Sequence, residues 1–250
     1  MLETTAPSID VLQKPYRIER ADPAEAAALC RVLESGEPEI NRTLSDEEAL
    51  IVSAFKAPKR RRDWLAGRLA AKRLMSWVLA QDGTYLKFSE IEVLNRPSGE
   101  PYVRLPGGLT YDKQVLSLSH SKAGGVAAIS QPGCLVGVDL EAVELRDRAF
   151  LELMAHDEEW DSTMDSDLFE QTRLWTLKEA VVKLLGIGFT AAFHDVRFPL
   201  FEGDARRLSL HGRARESWIA LGRPIIHFDS TFEDEDVLSV AYTTGDSPNA

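Results

Sequence analysis

Apolar positions recur at helical spacing near 23–35, 45–56 and 58–80, and at alternating spacing in the short runs that follow. The second of these helices opens on "LSDEE", in which Ser45 and Glu48 form a capping box. The later turns of the third are apolar on most sides, which predicts a buried helix. "IEVL", "PYVRL", "VLSLSHS", "GVAAIS" and "LVGVDLE" then read as strands of a meander, punctuated by Pro97, Ser98 and Gly99. Helices near 157–165 and 167–186 come next, followed by strands near 195–200, 207–211, 225–232 and 237–243. Helix followed by strands therefore occurs twice. That order predicts an α+β fold of two subdomains of similar plan, joined around 131–135, with a ligand site at their junction.

Composition narrows the class. The 250 residues, 44% hydrophobic and 28% charged, suffice for a substantial core in one large or two smaller domains. No run approaches the ~18 apolar residues of a membrane span, and "MLETTAPSID" lacks the basic-then-apolar order of a signal peptide. A cytoplasmic protein is expected. Cys30 and Cys134 are too few for a disulfide framework and read as two buried thiols. A net charge of −11 argues against nonspecific nucleic-acid binding. The charge is uneven, however: residues 56–73 hold eight basic side chains against Asp63 alone, a local +7 that leaves −18 for the rest. Such a block decorates a solvated helix face, or binds a phosphorylated small molecule or an acidic protein.

Three stretches carry candidate chemistry. In "LVGVDLE" the alternation puts Val136, Val138 and Leu140 on one face and Gly137, Asp139 and Glu141 on the other. Two carboxylates then leave the backbone about 6–7 Å apart, where they repel unless a cation lies between them. Mg²⁺ suits such hard oxygen donors, and solvated acids on an edge strand give the same pattern. In "SLSHSKAGG", Ser119, His120 and Ser121 lead into Gly124 and Gly125, a place for phosphate oxygens, and His120 falls on the buried face of its strand. In "LWTLKEAVVKLLGIG", Leu174, Leu177, Val181, Leu184 and Leu185 form an apolar stripe, Glu179 and Lys183 project opposite it, and Lys178 flanks it. An exposed i,i+4 ion pair explains Glu179 and Lys183 equally well from this segment alone.

Taken together, "GVDLE", "WTLKEAVVKLLGIG" about 40 residues later and "SLSHS" about 20 residues earlier resemble the 4′-phosphopantetheinyl transferases of the two-subdomain surfactin-synthetase-activating (Sfp) type. "LSDEE", "WLAGRLAAKRL" and "SGEPYV" look like the family's first helices and its turn. The resemblance implies two similar α+β subdomains in a pseudo-twofold relation, 1–132 on the coenzyme A side and 133–244 with the metal site and the helix of residues 174–188, then a polar tail 245–250. It implies transfer of 4′-phosphopantetheine from coenzyme A to a serine of an apo acyl, peptidyl or aryl carrier protein, releasing 3′,5′-ADP. Asp139, Glu141 and Glu179 match the Mg²⁺ ligands, Glu179 also the general base, and Lys183 the lysine that meets the departing 3′,5′-ADP.

By the same resemblance, Ser119 and His120 match phosphate contacts, Gly99 to Pro101 the adenine-binding turn, and Lys178 adds positive charge nearby. Glu100 stands where relatives carry a cation, so Arg96 or the block Arg60 to Arg62, Arg62 included, is expected to compensate. Carrier docking is expected between Gly186 and Trp218, through Phe189, Phe193, Arg206, Arg207, Arg213 and Arg215. A monomer is expected, since one chain supplies both subdomains. Two other readings stand beside it: a metal-dependent coenzyme A or nucleotide pyrophosphatase that uses the same acids with water as nucleophile, and a noncatalytic coenzyme A- or carrier-binding protein that keeps the fold.

Overall fold

A computed structural model describes residues 14–37, 40–162, 164–188, 193–199, 207–233 and 235–245. Two long helices organise it. Helix α4 (Pro58–Gln81) starts on a proline at a position whose N–H has no helical partner. Its residues from Trp64 to Leu79 are mostly buried, as the run of apolar positions predicts. Helix α6 (Leu168–Leu184) starts where the Asp167 side chain caps the Glu170 N–H, and its predicted stripe of five apolar residues is wholly buried in one cluster.

Each long helix covers a three-stranded antiparallel sheet. Under α4 lie β1 (Tyr16–Ala21), β6 (Gly124–Ser130) and β5 (Leu116–Ser121), in the order β1-β6-β5. Under α6 lie β7 (Val136–Ala142), β11 (Asp236–Tyr242) and β10 (His227–Glu233), in the order β7-β11-β10. The first strand of each set pairs with the last, and the last with the one before it, so the two sets share one plan. Val136, Val138 and Leu140 of β7 pack on Val126 and Ala128 of β6, while Gly137, Asp139 and Glu141 face α6. Glycine is required where helix and sheet come closest: a Cβ at Gly137 would lie 2.0 Å from the Ala180 carbonyl oxygen, and one at Gly125 2.1 Å from the Ala66 carbonyl carbon.

A third sheet, β2 (Glu92–Asn95), β3 (Pro101–Leu105) and β4 (Leu109–Tyr111), stands beside the first, and β8 (Val196–Arg197) pairs with β9 (Ser209–Leu210) beside the second. Shorter helices are α1 (Pro23–Ser35), α2 (Ile40–Thr43), α3 (Asp46–Ser53), α5 (Arg148–Met154) and α7 (Gly212–Ala220). Several elements escape the sequence pattern, among them β1, α5 and α7. Strand β1 reads YRIERA, too polar for an alternation signal, and is held by its full ladder to β6. Helix α5 lies outside the expected helices, and α7 buries only Ala214. The helix expected at 157–165 is a single 3-10 turn, Asp157–Glu159, because the Glu159 carboxylate turns into the core and the chain leaves extended at Trp160.

The same glutamate has a counterpart in the first half. Glu48 and Lys72 are fully buried and paired at 2.6 Å; Glu159 and Lys178 are fully buried and paired at 2.6 Å. Glu48 accepts from the N–H of Ser45 and of Val93, Glu159 from the N–H of His156 and of Phe198. Lys72 donates to the Phe88 carbonyl and Lys178 to that of Phe193, five residues before Val93 and Phe198 respectively. Both cysteines are buried thiols, as expected. Among the described residues, no helix is long and apolar enough to cross a membrane.

Candidate functional site

The carboxylate of Asp139 is the centre of the site. It is 3% exposed, and its Oδ1 accepts from Ser119 Oγ at 2.6 Å and from Lys183 Nζ at 2.7 Å. Three elements thus converge on one oxygen: β7 supplies the acid, β5 the hydroxyl and α6 the ammonium. The meeting is local in origin. Ser117 and Ser119 project from the face of β5 that meets the free edge of β7, where Ser117 Oγ also accepts from the Val138 N–H at 3.1 Å. Lys183 Nζ donates in addition to the Val138 carbonyl at 3.1 Å.

Two further carboxyls share this neighbourhood. Burial, with the charge of Asp139, pushes Glu141 up to about 7 against the opposing pull of Arg146 and Lys183. Burial also pushes Glu179 up to about 7, with Lys183 pulling it down and Asp139 adding to the rise. The other oxygen of Asp139, Oδ2, is buried without a hydrogen-bond partner among the described residues. An orphaned carboxylate oxygen beside two acids whose ionisation burial opposes is a donor set short of positive charge, and hard oxygens of this kind fit a divalent cation. Among the described residues no three His, Cys, Asp or Glu side chains are already gathered at ligating distance, so the donors are not preassembled.

The remaining expected residues divide. Lys178 is corrected: it is fully buried, donating to Glu159 Oε2, the Met154 carbonyl and the Phe193 carbonyl, and offers no charge to a ligand. It faces the core because its stem continues the apolar side of α6 and a buried acid waits there. Ser119 is turned to Asp139, so its hydroxyl orients a carboxylate. His120 lies on the expected face of β5, against α4 with its ring over Gly67, and its place near the end of the strand leaves part of the residue open to solvent.

In the turn that bears Gly99 and Pro101, Arg96 pairs with Glu100 at 3.8 Å and lies over the Tyr102 ring, so the acid that replaces a cation also occupies the nearest arginine. The turn is tied to α4 by Asn95, which donates to the Gly99 carbonyl and accepts from buried Arg68. Of the basic block, Lys72, Arg68 and Arg73 are engaged within the fold and Arg61 donates to the Phe55 carbonyl. Lys56, Lys59, Arg60 and Arg62 stay exposed around the start of α4. Phe189 and Arg206 lie outside the described residues.

Sequence reasoning missed Arg146, which stands 3.8 Å from Glu141 and over the Phe150 ring, and Glu159, the partner of Lys178. Nothing local marks Arg146. Glu159 had a signal, its place three residues after His156, the spacing of Glu48 after Ser45.

The model of the 4′-phosphopantetheinyl transferase superfamily matches residues 135–225, from the edge of β7 beyond α7. A holo-[acyl-carrier-protein] synthase of Petrotoga mobilis is 31% identical over 93 residues, 37% of this chain and 69% of that protein. One of Anoxybacillus flavithermus is 32% identical over 110 residues, 43% of this chain and 88% of that protein. The solved Helicobacter pylori holo-[acyl-carrier-protein] synthase in complex with coenzyme A aligns with 44% of this chain and 100% of its own, at 17% identity and a TM-score of 0.37.

Proposed function

The chain belongs to the 4′-phosphopantetheinyl transferase superfamily, and on that premise we propose that it moves 4′-phosphopantetheine from coenzyme A to a serine of an apo acyl, peptidyl or aryl carrier protein, releasing 3′,5′-ADP. One observation carries the reading. Helix α6 presents Glu179 and Lys183 one turn apart beside the buried carboxylate of Asp139, a poised acid and a fixed cation at one place. A serine hydroxyl is a poor nucleophile near neutral pH, and a carboxylate of raised proton affinity is the base it needs. Glu179 takes the hydroxyl proton as the serine oxygen bonds to the β-phosphorus of coenzyme A. The bond from that phosphorus to the bridging oxygen breaks, and Lys183 meets the charge that 3′,5′-ADP carries away.

Asp139, Glu141 and Glu179 would hold Mg²⁺, which when bound supplies charge withdrawal from the phosphoryl oxygens. The orphaned Asp139 Oδ2 supports that assignment. The turn at Gly99 and Pro101, His120 and the exposed cations Arg60 and Arg62 border the coenzyme side. Phe193, Arg207, Arg213 and Arg215 offer the docking face for an acidic carrier. The reading includes a two-subdomain, surfactin-synthetase-activating type of enzyme divided as 1–132 and 133–244, acting as a cytoplasmic monomer; the shared strand order of the two sheets supports the division.

Intact mass of apo acyl, peptidyl and aryl carrier proteins, incubated with the protein and coenzyme A in Mg²⁺ or in chelator, tests it. A gain of one phosphopantetheine only with metal is the expected result. Coenzyme A cleaved without carrier modification would favour a pyrophosphatase, and coenzyme A bound but intact a noncatalytic binder.

A further inference from the structure

Lys178 and Glu179 are neighbours on α6, about 100° apart around its axis, so whatever fixes the direction of one fixes the other. Apolar contacts of the stripe carry no direction of their own. Directed restraints come from Thr176 on Ser239, from Lys183 on Asp139 and the Val138 carbonyl, and most deeply from the Lys178 ammonium. It is fully buried and donates to three acceptors on three segments: Glu159 Oε2 at 2.6 Å, the Met154 carbonyl at 2.8 Å and the Phe193 carbonyl at 3.2 Å. Glu159 is itself held at both oxygens, by the His156 N–H at 2.7 Å and the Phe198 N–H at 2.6 Å. Rotation or sliding of α6 would strand a buried ammonium and a buried carboxylate together, a far steeper penalty than shearing an apolar contact.

We propose that Glu159 is a positioning residue for the transfer reaction: through Lys178 it sets the rotation of α6 that points Glu179 and Lys183 at Asp139. The inference rests on the transferase reading for its kinetic consequence, not for its structural one.

The molecule contains its own control. Glu48 and Lys72 form the same buried pair in the first half, with the same two backbone N–H donors to the glutamate. The residue after Lys72, however, is Arg73, which pairs with Glu25 in α1 and takes no part in the site. Loss of Glu48 therefore costs stability and leaves the setting of Glu179 and Lys183 intact, whereas loss of Glu159 costs stability and that setting.

The test compares wild type with Glu159→Gln and Glu48→Gln at a temperature where thermal unfolding shows each fully folded. Both variants should melt earlier. Only Glu159→Gln should lose kcat for carrier modification, by about 10²-fold, the scale of a 1 Å misplacement, with the Kd for coenzyme A changed less than about threefold. Amide hydrogen exchange across residues 168–184 should accelerate in Glu159→Gln beyond what its lost stability accounts for, and in Glu48→Gln only in proportion to the stability lost. Should Glu159→Gln not fold, the double variant Glu159→Leu/Lys178→Met removes the buried charges together and restores packing; it should fold and still lack kcat.

Equal kcat losses in the two glutamine variants, or wild-type kcat in a folded Glu159 variant, would overturn the proposal. So would exchange over α6 that accelerates in Glu159→Gln no more than its lost stability accounts for. A wild-type protein that transfers nothing would overturn the transferase reading, while the exchange comparison would still decide whether Glu159 sets α6.

Discussion

Lys183 Nζ lies 2.7 Å from Asp139 Oδ1 and 3.1 Å from the Val138 carbonyl, so one residue of α6 is stitched to two successive residues of β7. This ammonium is the fixed cation of the site. In Lys183→Ala the Asp139 carboxylate keeps only Ser119 as donor among the described residues, and charge on the departing 3′,5′-ADP goes unmet. The expected loss in kcat is roughly 10²–10³-fold, the size seen when one donor to a developing charge is removed. The cost in stability is smaller, on the order of 1–3 kcal/mol for an under-bonded buried carboxylate. Release of 3′,5′-ADP followed by chromatography, with a melt on the same sample, separates the two.

Ser119 tests whether the hydroxyl serves the acid or the ligand. It donates to Asp139 at 2.6 Å and is 7% exposed, a position for orienting a carboxylate. Ser119→Ala should cost about 2 kcal/mol, in the range for hydrogen bonds to charged groups, or roughly 4–8 °C in Tm for a chain of this size. The KM for coenzyme A should stay within about threefold of wild type. A tenfold rise in KM without a change in Tm would return Ser119 to direct phosphate contact.

Much of this arrangement is legible in the sequence, and the part that is not has a physical reason. Alternation alone places Asp139 and Glu141 on the face of β7 opposite Val138, and helical spacing alone puts Glu179 and Lys183 on one side of α6. Those are local periodicities, set by backbone geometry. The placement of Lys178 is not local. Its position at the border of the apolar stripe fits a solvated end or a buried one, and what decides is an acid 19 residues earlier that the chain brings underneath it. Strand β1 escapes for the same reason, since its six residues are defined by a ladder to β6 more than 100 positions away. His120 shows the converse: the face was legible, but where the strand ends, and hence its exposure, was not.

Gly137 carries a prediction about the frame of the site. A methyl group there would lie 2.0 Å from the Ala180 carbonyl oxygen, which belongs to the backbone of α6 and cannot rotate aside. Gly137→Ala must therefore push α6 away from β7, and with it Glu179 and Lys183 away from Asp139. Overpacking typically costs 1–3 kcal/mol; a backbone collision should reach at least about 3 kcal/mol by that scale. Denaturant unfolding should show the loss, and the folded fraction should turn over more slowly per molecule than wild type. Wild-type kcat per folded molecule would mean the helix and strand tolerate separation.

The acids of the site should make the metal-free protein less stable as pH rises toward neutrality. Glu141 and Glu179 both titrate near 7 in the fold, against an ordinary 4.5, so the native state holds more protons than the unfolded chain between those values. Stability then falls as pH climbs from about 4.5 to about 7 and stays low above it, the reverse of a salt-bridged carboxylate. The burden of a buried, ionised Glu179 is on the order of 2–3 kcal/mol at pH 7.5 by this linkage. Glu179→Gln removes it, so this variant should melt roughly 4–10 °C higher than wild type at pH 7.5 without metal, and at nearly the same temperature at pH 4.5. It should also lack turnover, because the amide cannot accept the serine proton. A melting temperature for Glu179→Gln that tracks wild type across this range would show that Glu179 is not held in a charge-averse pocket in the metal-free protein, and wild-type turnover by Glu179→Gln would remove it as the base.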